Sequence, residues 1–403
     1  MVTEARSCIT NRSRQGERWC LFKLLLLTMA LLCGCAGARG PLRYRLLGVS
    51  RVVLSSDGTK AAFSYDLSGK QTDGFSSRRY LIVDLRSGTP MKWGPFTPDR
   101  PIWDSVLWWS EKREAFVIER NWRPGTKKAL QPQSRSALLI VSPAGGERTV
   151  HIWPPTAVRE EGPGRVHLFG LTARQDGVLL AENVGSNGIE TQKQRVGILD
   201  LDTGQQSSFG FLPSGWRCWE MGAQAENGPA RRLWIVAKRE EQTDPQTALF
   251  VADKAGVRRS APLPPQTYVP NLTSQASVLA FVVERREDVY DVRILPLVGG
   301  VGETRTVLTM EGRRPLLWAP NGRELLVWAM RFPGSRDERS PWWIIDAVTG
   351  ATKRIDLRWK SVDEVTWEPQ GKSLLVIADG ALWRLNPHDN STQRVMAIPS
   401  PPR

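Results

Sequence analysis

Two stretches of the chain, Trp318-Ala-Pro-Asn-Gly-Arg-Glu-Leu-Leu-Val-Trp328 and Trp367-Glu-Pro-Gln-Gly-Lys-Ser-Leu-Leu-Val-Ile377, share one pattern 49 residues apart. A third copy runs from Leu54 through Asp57-Gly58 to Phe63. Looser copies fill the gap: Trp109 to Ile118, Gln175 to Leu180, Asn227 with Leu233 to Val236, and Ser274 to Val283. The turn positions 57, 112, 176, 227, 275, 321 and 370 are spaced by 55, 64, 51, 48, 46 and 49 residues. A repeat of that period constrains the fold more than any bulk property, because one unit cannot bury both of its faces alone.

Each unit carries a second signal some 25 residues later, an apolar run closed by a polar or Gly-containing turn. Leu81 to Gly88, Leu138 to Gly145, Val196 to Gly204 and Trp343 to Gly350 are the clearest. Asp or Asn with Gly supplies the left-handed backbone of a tight hairpin, and the flanking Val, Ile, Leu and Trp suit buried sheet. Every unit therefore reads as two hairpins, four strands in all. Stacked radially, such units cover one another's faces, so the sequence predicts an all-β fold, a β-propeller of seven four-stranded blades over residues 43–398 with a tail at 399–403. Leu42 to Leu47 and Thr392 to Ile398 are the expected strands for sealing the ring, since an open edge invites aggregation. At its turns the chain resembles the TolB-type β-propeller repeat, in which an aromatic precedes Ser-Pro-Asp-Gly, a Lys and an apolar strand. That resemblance implies envelope protein partners engaged through a propeller face.

Residues 1–34 read as a removable export signal. A polar, basic stretch precedes a nine-residue apolar run, Leu24 to Leu32, too short for the roughly 20 residues of a membrane-spanning helix. Leu32-Cys33-Gly34-Cys35 resembles the bacterial lipobox. The resemblance implies diacylglycerol on the Cys35 sulfur, a tether over residues 35–42, and a protein anchored to the membrane without spanning it, on the outer-membrane or periplasmic side. The net charge of +14 falls to about +11 once the five Lys/Arg and two Glu of residues 1–34 are removed. A basic exported surface points to anionic envelope components and away from nucleic acid. Beyond the signal and the acceptor Cys35 only Cys218 remains, which excludes an internal disulfide and suggests a buried apolar thiol.

Catalytic constellations are sparse. There is no Gly-x-Ser-x-Gly elbow; Gly74 to Arg78 fails at its last position. His151, His167 and His388 lie in different units without metal-ligand spacing, and Asp200-Leu-Asp202-Thr-Gly204 reads as a hairpin turn rather than a calcium loop. No cofactor or metal is expected. Trp109, Trp318 and Trp367 share a register and are expected to pack blade against blade. The segment 120–136 breaks the period and carries Trp122, Arg123, Lys127, Lys128 and Arg135, a basic, aromatic mix suited to a partner surface. The connections between second and third strands, 285–291 among them, are expected to be long and to share one rim. These observations together predict a non-catalytic binding or scaffolding lipoprotein of the envelope. The alternative is an enzyme or a ligand- or glycan-binding propeller with its site in the central channel.

Overall fold

Short apolar runs of four to eleven residues alternate with turn residues along the whole of the described chain, and nearly every run forms a strand. The computed structural model describes residues 44–69, 76–95, 102–122, 133–154, 156–157, 165–184, 193–224, 232–239, 246–273, 275–298, 300–329 and 341–399. Cys35, Arg123, Lys127 and Lys128 lie outside the described residues, as does the Asn227 turn. From Arg45 to Pro402 the chain is one compact unit.

The first stretch comprises β1 (Tyr44–Leu54), β2 (Lys60–Gly69), β3 (Ser76–Asp84) and β4 (Thr89–Trp93). A second set follows as β5 (Ile102–Ser110), β6 (Ala115–Trp122), β7 (Gln133–Val141) and β8 (Glu147–Ile152), with the two-residue β9 (Thr156–Ala157) added on β7. These nine strands count as one sheet only through a single parallel pair, Arg78 with Trp103, over whose ring the Arg78 guanidinium sits at 5.8 Å. Five separate four-stranded antiparallel sheets complete the fold. They are β10 (Val166–Leu171), β11 (Gly177–Val184), β12 (Lys193–Asp200) and β13 (Gln206–Phe211); β14 (Trp216–Gln224), β15 (Arg232–Arg239), β16 (Gln246–Asp253) and β17 (Gly256–Pro262); β18 (Thr267–Leu272), β19 (Val278–Arg286), β20 (Val289–Pro296) and β21 (Arg305–Glu311); β22 (Leu316–Trp318), β23 (Glu324–Val327), β24 (Trp342–Asp346) and β25 (Thr352–Ile355); and β26 (Val362–Trp367), β27 (Leu374–Ala378), β28 (Ala381–Leu385) and β29 (Thr392–Ala397).

Burial explains the strand order. Second strands such as β27, Leu374–Ala378, are buried on both faces, whereas fourth strands such as β13 and β17 are largely exposed. Each sheet is thus covered front and back by its neighbours and solvated at its outer edge. Hydrophobic clusters straddle consecutive sheets; the one between β10–β13 and β14–β17 joins Leu179, Val196 and Ile198 to Met221, Ile235 and Phe250. Polar clasps reinforce the stacking. A cation on a fourth strand donates to a backbone carbonyl in the next sheet's outer turn: Lys92 to Gly145 at 2.8 Å, Arg148 to Leu201 at 2.8 Å, Arg305 to Ala347, and Lys353 to His388. Trp318 and Trp367 are buried, and each indole N–H donates to the first strand of the preceding sheet, at Asn271 O (3.0 Å) and Leu317 O (3.2 Å). Their expected blade-to-blade packing is what the structure shows.

Several expectations need correction. The third-unit turn is not built on Asp176-Gly177: Gln175 takes the positive φ of 54°, and Gly177 begins β11, where a Cβ would stand 2.5 Å from Ile198 Cγ2. The 285–291 connection is not long; only Glu287 and Asp288 separate β19 from β20. Trp122 is not a loop residue. It ends β6, pairs with Ile102 and Arg135, and packs against the Phe116 and Ile118 core. Nor do the chain ends share a sheet among the described residues. β1 and β29 are edge strands of their own sheets, because each terminal set already holds four contiguous strands and none is left to exchange. Asp200, as expected, caps its own turn, accepting the Asp202 and Thr203 N–H groups.

Candidate functional site

The first strand of each sheet is the innermost. β5, β10, β14, β18 and β22 lie one beside the next, and residues of β1, β5, β10, β22 and β26 with their turns line a cavity of about 760 Å³. Its mouth is framed by first-hairpin turn residues such as Ser56, Gln175, Pro320 and Pro369. Apolar side chains, Leu107, Trp108, Leu171 and Leu317, form much of the wall. Bulges recur in these inner strands, at Leu107, Phe169, Trp219 and Asp363, where pairing with the second strand skips a residue. A bulge re-aims side chains on an otherwise regular strand.

Charged groups on β1, β6, β14 and β26 and in and just ahead of β10 act on one another around this cavity, and of these Arg51 and Glu364 line it. Arg51 of β1 feels the carboxylates of Glu364 on β26 and Glu119 on β6; Glu119 in turn feels Arg165, just ahead of β10. His167 on β10 faces Arg165 and Arg217, the latter on β14. Arg51 is exposed to the water of the cavity, yet it is enclosed enough that desolvation lowers its pKa against the pull of both carboxylates. Burial pushes Glu364 up to about 7, opposed by the Val365 N–H and by Arg51 and aided by Asp363. Burial also raises Glu119 despite a hydrogen bond with Asn121, and it lowers His167 to about 4, helped by Arg165 and Arg217. At neutral pH the imidazole is therefore uncharged and Glu364 is poised between its two forms.

Glu220, at the end of the β14 bulge, is pushed up to about 8 by burial, with the Met221 N–H opposing. Its folded pKa lies above its unfolded one, so the native state holds the extra proton and loses stability as pH rises from about 4.5 to 8. Glu220→Gln is accordingly expected to stabilise the protein at pH 9 by on the order of 2 kcal/mol, after allowance for the partial exposure of the residue, and hardly at pH 5. Thermal melts of both proteins at the two pH values check this; equal gains at both would show a packing effect. Cys218, two residues earlier, is half-buried with its thiol pushed up by burial, and its N–H donates to Gln194 Oε1 at 2.6 Å.

None of these interior residues except His167 and Cys218 was singled out in sequence, and those two were read as structural. The signal available was a charge inside the apolar strand that precedes a turn. Arg51 and Glu364 each lie four residues ahead of the residue that opens the first hairpin, Ser55 and Glu368. Of the residues expected at a partner surface, Arg135 is exposed on β7 beside the half-buried Trp122. Among the described residues no group of three or more His, Cys, Asp or Glu is placed to hold a metal ion.

No family model matches the chain, and no curated protein matches it. Solved structures do. An oligogalacturonate lyase from Vibrio parahaemolyticus is 11% identical over 85% of this chain and 92% of its own, with a TM-score of 0.52. The β-propeller domain of the Trilobed protease from Pyrococcus furiosus, described as having an open velcro topology, is 9% identical over 88% and 97%, with a TM-score of 0.54. The fold is a β-propeller. An acylaminoacyl peptidase from Pyrococcus horikoshii is 8% identical over 86% of this chain, which spans about half of the peptidase, 52%, at a TM-score of 0.53. The expectation of a non-catalytic scaffold is corrected by these neighbours. The lyase is matched over nearly its whole length, so a propeller of this extent serves as an enzyme without a separate hydrolase domain. The missing nucleophile elbow is no ground for a scaffold.

Proposed function

We propose that the protein is a seven-bladed propeller enzyme whose chemistry takes place in the central cavity, with Glu364 as the group that exchanges a proton and Arg51 as the cation that holds the substrate beside it. The observation that carries this reading is the pairing of a carboxyl whose pKa is about 7 with an arginine that is exposed in the same cavity. A general acid or base works best when its pKa lies near the working pH. Other ion pairs of the fold are in direct contact, Arg323 with Asp346 at 2.8 Å and Arg258 with Asp253 at 2.7 Å. Five four-stranded sheets plus the two sets joined by one parallel pair would make seven blades, and a ring of that size leaves room for a site at its centre.

The neighbours supply the first assays. Trigalacturonate is followed by the ultraviolet absorbance of an unsaturated product, and N-acetyl-amino-acid anilides by released aniline. The expected result is turnover that falls at least tenfold in Glu364→Gln while the melting profile is kept. Turnover that survives unchanged in both Glu364→Gln and Arg51→Gln would overturn the reading.

A further inference from the structure

The accessible group in the cavity is a guanidinium without a direct partner. Among the described residues Arg51 makes no hydrogen bond, although it feels the carboxylates of Glu364 on β26 and Glu119 on β6. Other arginines of the fold have their forks filled: Arg78 by Asp66 at 2.6 Å, Arg120 by Asp104 at 2.7 Å and Arg384 by Glu368 at 2.8 Å. A guanidinium offers five N–H donors in one plane, the geometry that receives a carboxylate through two parallel bonds. Held in a cavity with low-dielectric walls, it attracts an oxyanion more strongly than a surface arginine does.

The rest of the wall narrows the class. Trp108 lines the cavity beside Leu107 and Leu171, an apolar stretch suited to the less polar face of a ring. Glu364, Ser50 and Thr366 also line the cavity and offer oxygen acceptors for hydroxyl groups. The volume of about 760 Å³ falls within the range of small-molecule sites. We propose that the cavity takes a sugar acid, its carboxylate seated on Arg51, its hydroxyls on Glu364 and its ring against Trp108; this rests on the channel being the functional site.

A proton accompanies the ligand. Glu364 is faced by Arg51, by Asp363 on its own strand and by the Val365 N–H, and Arg51 is faced in turn by Glu119. A carboxylate arriving on Arg51 weakens the hold of that cation on ionised Glu364 and adds a negative charge beside it. Glu364 then takes up a proton and becomes a donor to the ligand, so affinity falls as pH rises above about 7.

Isothermal titration of the full chain in detergent with trigalacturonate and with its neutral trimethyl ester tests this, in two buffers of different ionisation heat. The acid is expected to bind at least tenfold tighter than the ester with net proton uptake. Arg51→Gln is expected to erase the difference, and Arg51→Lys to keep part of it. Equal binding of acid and ester, or no binding of the acid at millimolar concentration, would overturn the sugar-acid assignment, as would a charge preference unchanged in Arg51→Gln. If the ester binds as well as the acid and Glu364→Gln weakens both, the ligand class fails while the channel reading stands. If neither variant alters binding or turnover, the channel reading fails with it.

Discussion

Arg120→Met is expected to cost about 3–5 kcal/mol of stability, because it leaves Asp104 as an uncompensated charge in the interior. Arg120 is 5% exposed and Asp104 fully buried; the guanidinium contacts Asp104 at 2.7 and 3.2 Å and Glu147 at 2.6 Å. Tyr80 adds a hydrogen bond to Glu147 at 3.1 Å, and Gly94 closes over the network, where a Cβ would come within 3.0 Å of Asp104 Oδ2. Burial alone would lower the Arg120 pKa, but the two carboxylates more than offset it and hold the group charged. The network spans β3, β5, β6 and β8, so it ties the first two four-stranded sets where only one backbone pair joins them. Urea unfolding checks the cost. In the variant, Asp104 loses its partner and its folded pKa stands above the unfolded one, so the penalty should be small near pH 4 and grow as pH rises. A penalty that does not change with pH would point to lost packing instead. Asp104→Asn in the same background should recover part of the loss at pH 8.

The turns that announced the repeat are local devices, and for that reason they could be read from sequence. Asp84, Asp200 and Asp346 each accept two N–H groups of their own turn and precede a residue of positive φ, Gly88, Gly204 and Gly350. Where the local code is degenerate, sequence does not specify the turn. Gln175 does at the third unit what glycine does at Gly58, and only the register of β10 on β11 reveals it. The charge run after Glu119 hides three further residues of β6, Arg120 to Trp122, so Trp122 reads as a recognition residue although it packs against the core. Closure and the cavity were invisible for a different reason. Arg51, Glu119, Arg165, Arg217 and Glu364 come from stretches far apart in the chain, and no spacing rule relates residues that meet only because the inner strands of successive sheets lie side by side. A site of that kind becomes legible once the strand order is known.

The stacking of sheets makes a sharper prediction at Gly204. Its φ of 70° is matched by the 77° of Gly350, and both close the same kind of Asp-capped turn. Their surroundings differ. A Cβ at Gly350 meets nothing within 4 Å, whereas one at Gly204 would stand 2.5 Å from the Val150 carbonyl oxygen on β8 of the preceding sheet. That oxygen is backbone and cannot rotate aside. Gly350→Ala should therefore cost only the left-handed penalty of about 1 kcal/mol. Gly204→Ala should cost about 3 kcal/mol, since the overpacking adds to the same penalty and pushes the turn away from β8. The displacement would also loosen the clasp in which His151 Nδ1 lies 3.0 Å from Gly204 O and Arg148 reaches Leu201 O. Hydrogen exchange at the β8 and β13 amides provides a readout separate from the melting temperature: it should rise in Gly204→Ala, with the Gly350→Ala protein serving as the control. Equal costs for the two substitutions would mean that the sheets are held by their apolar faces alone and that the outer turns carry none of the ring's cohesion.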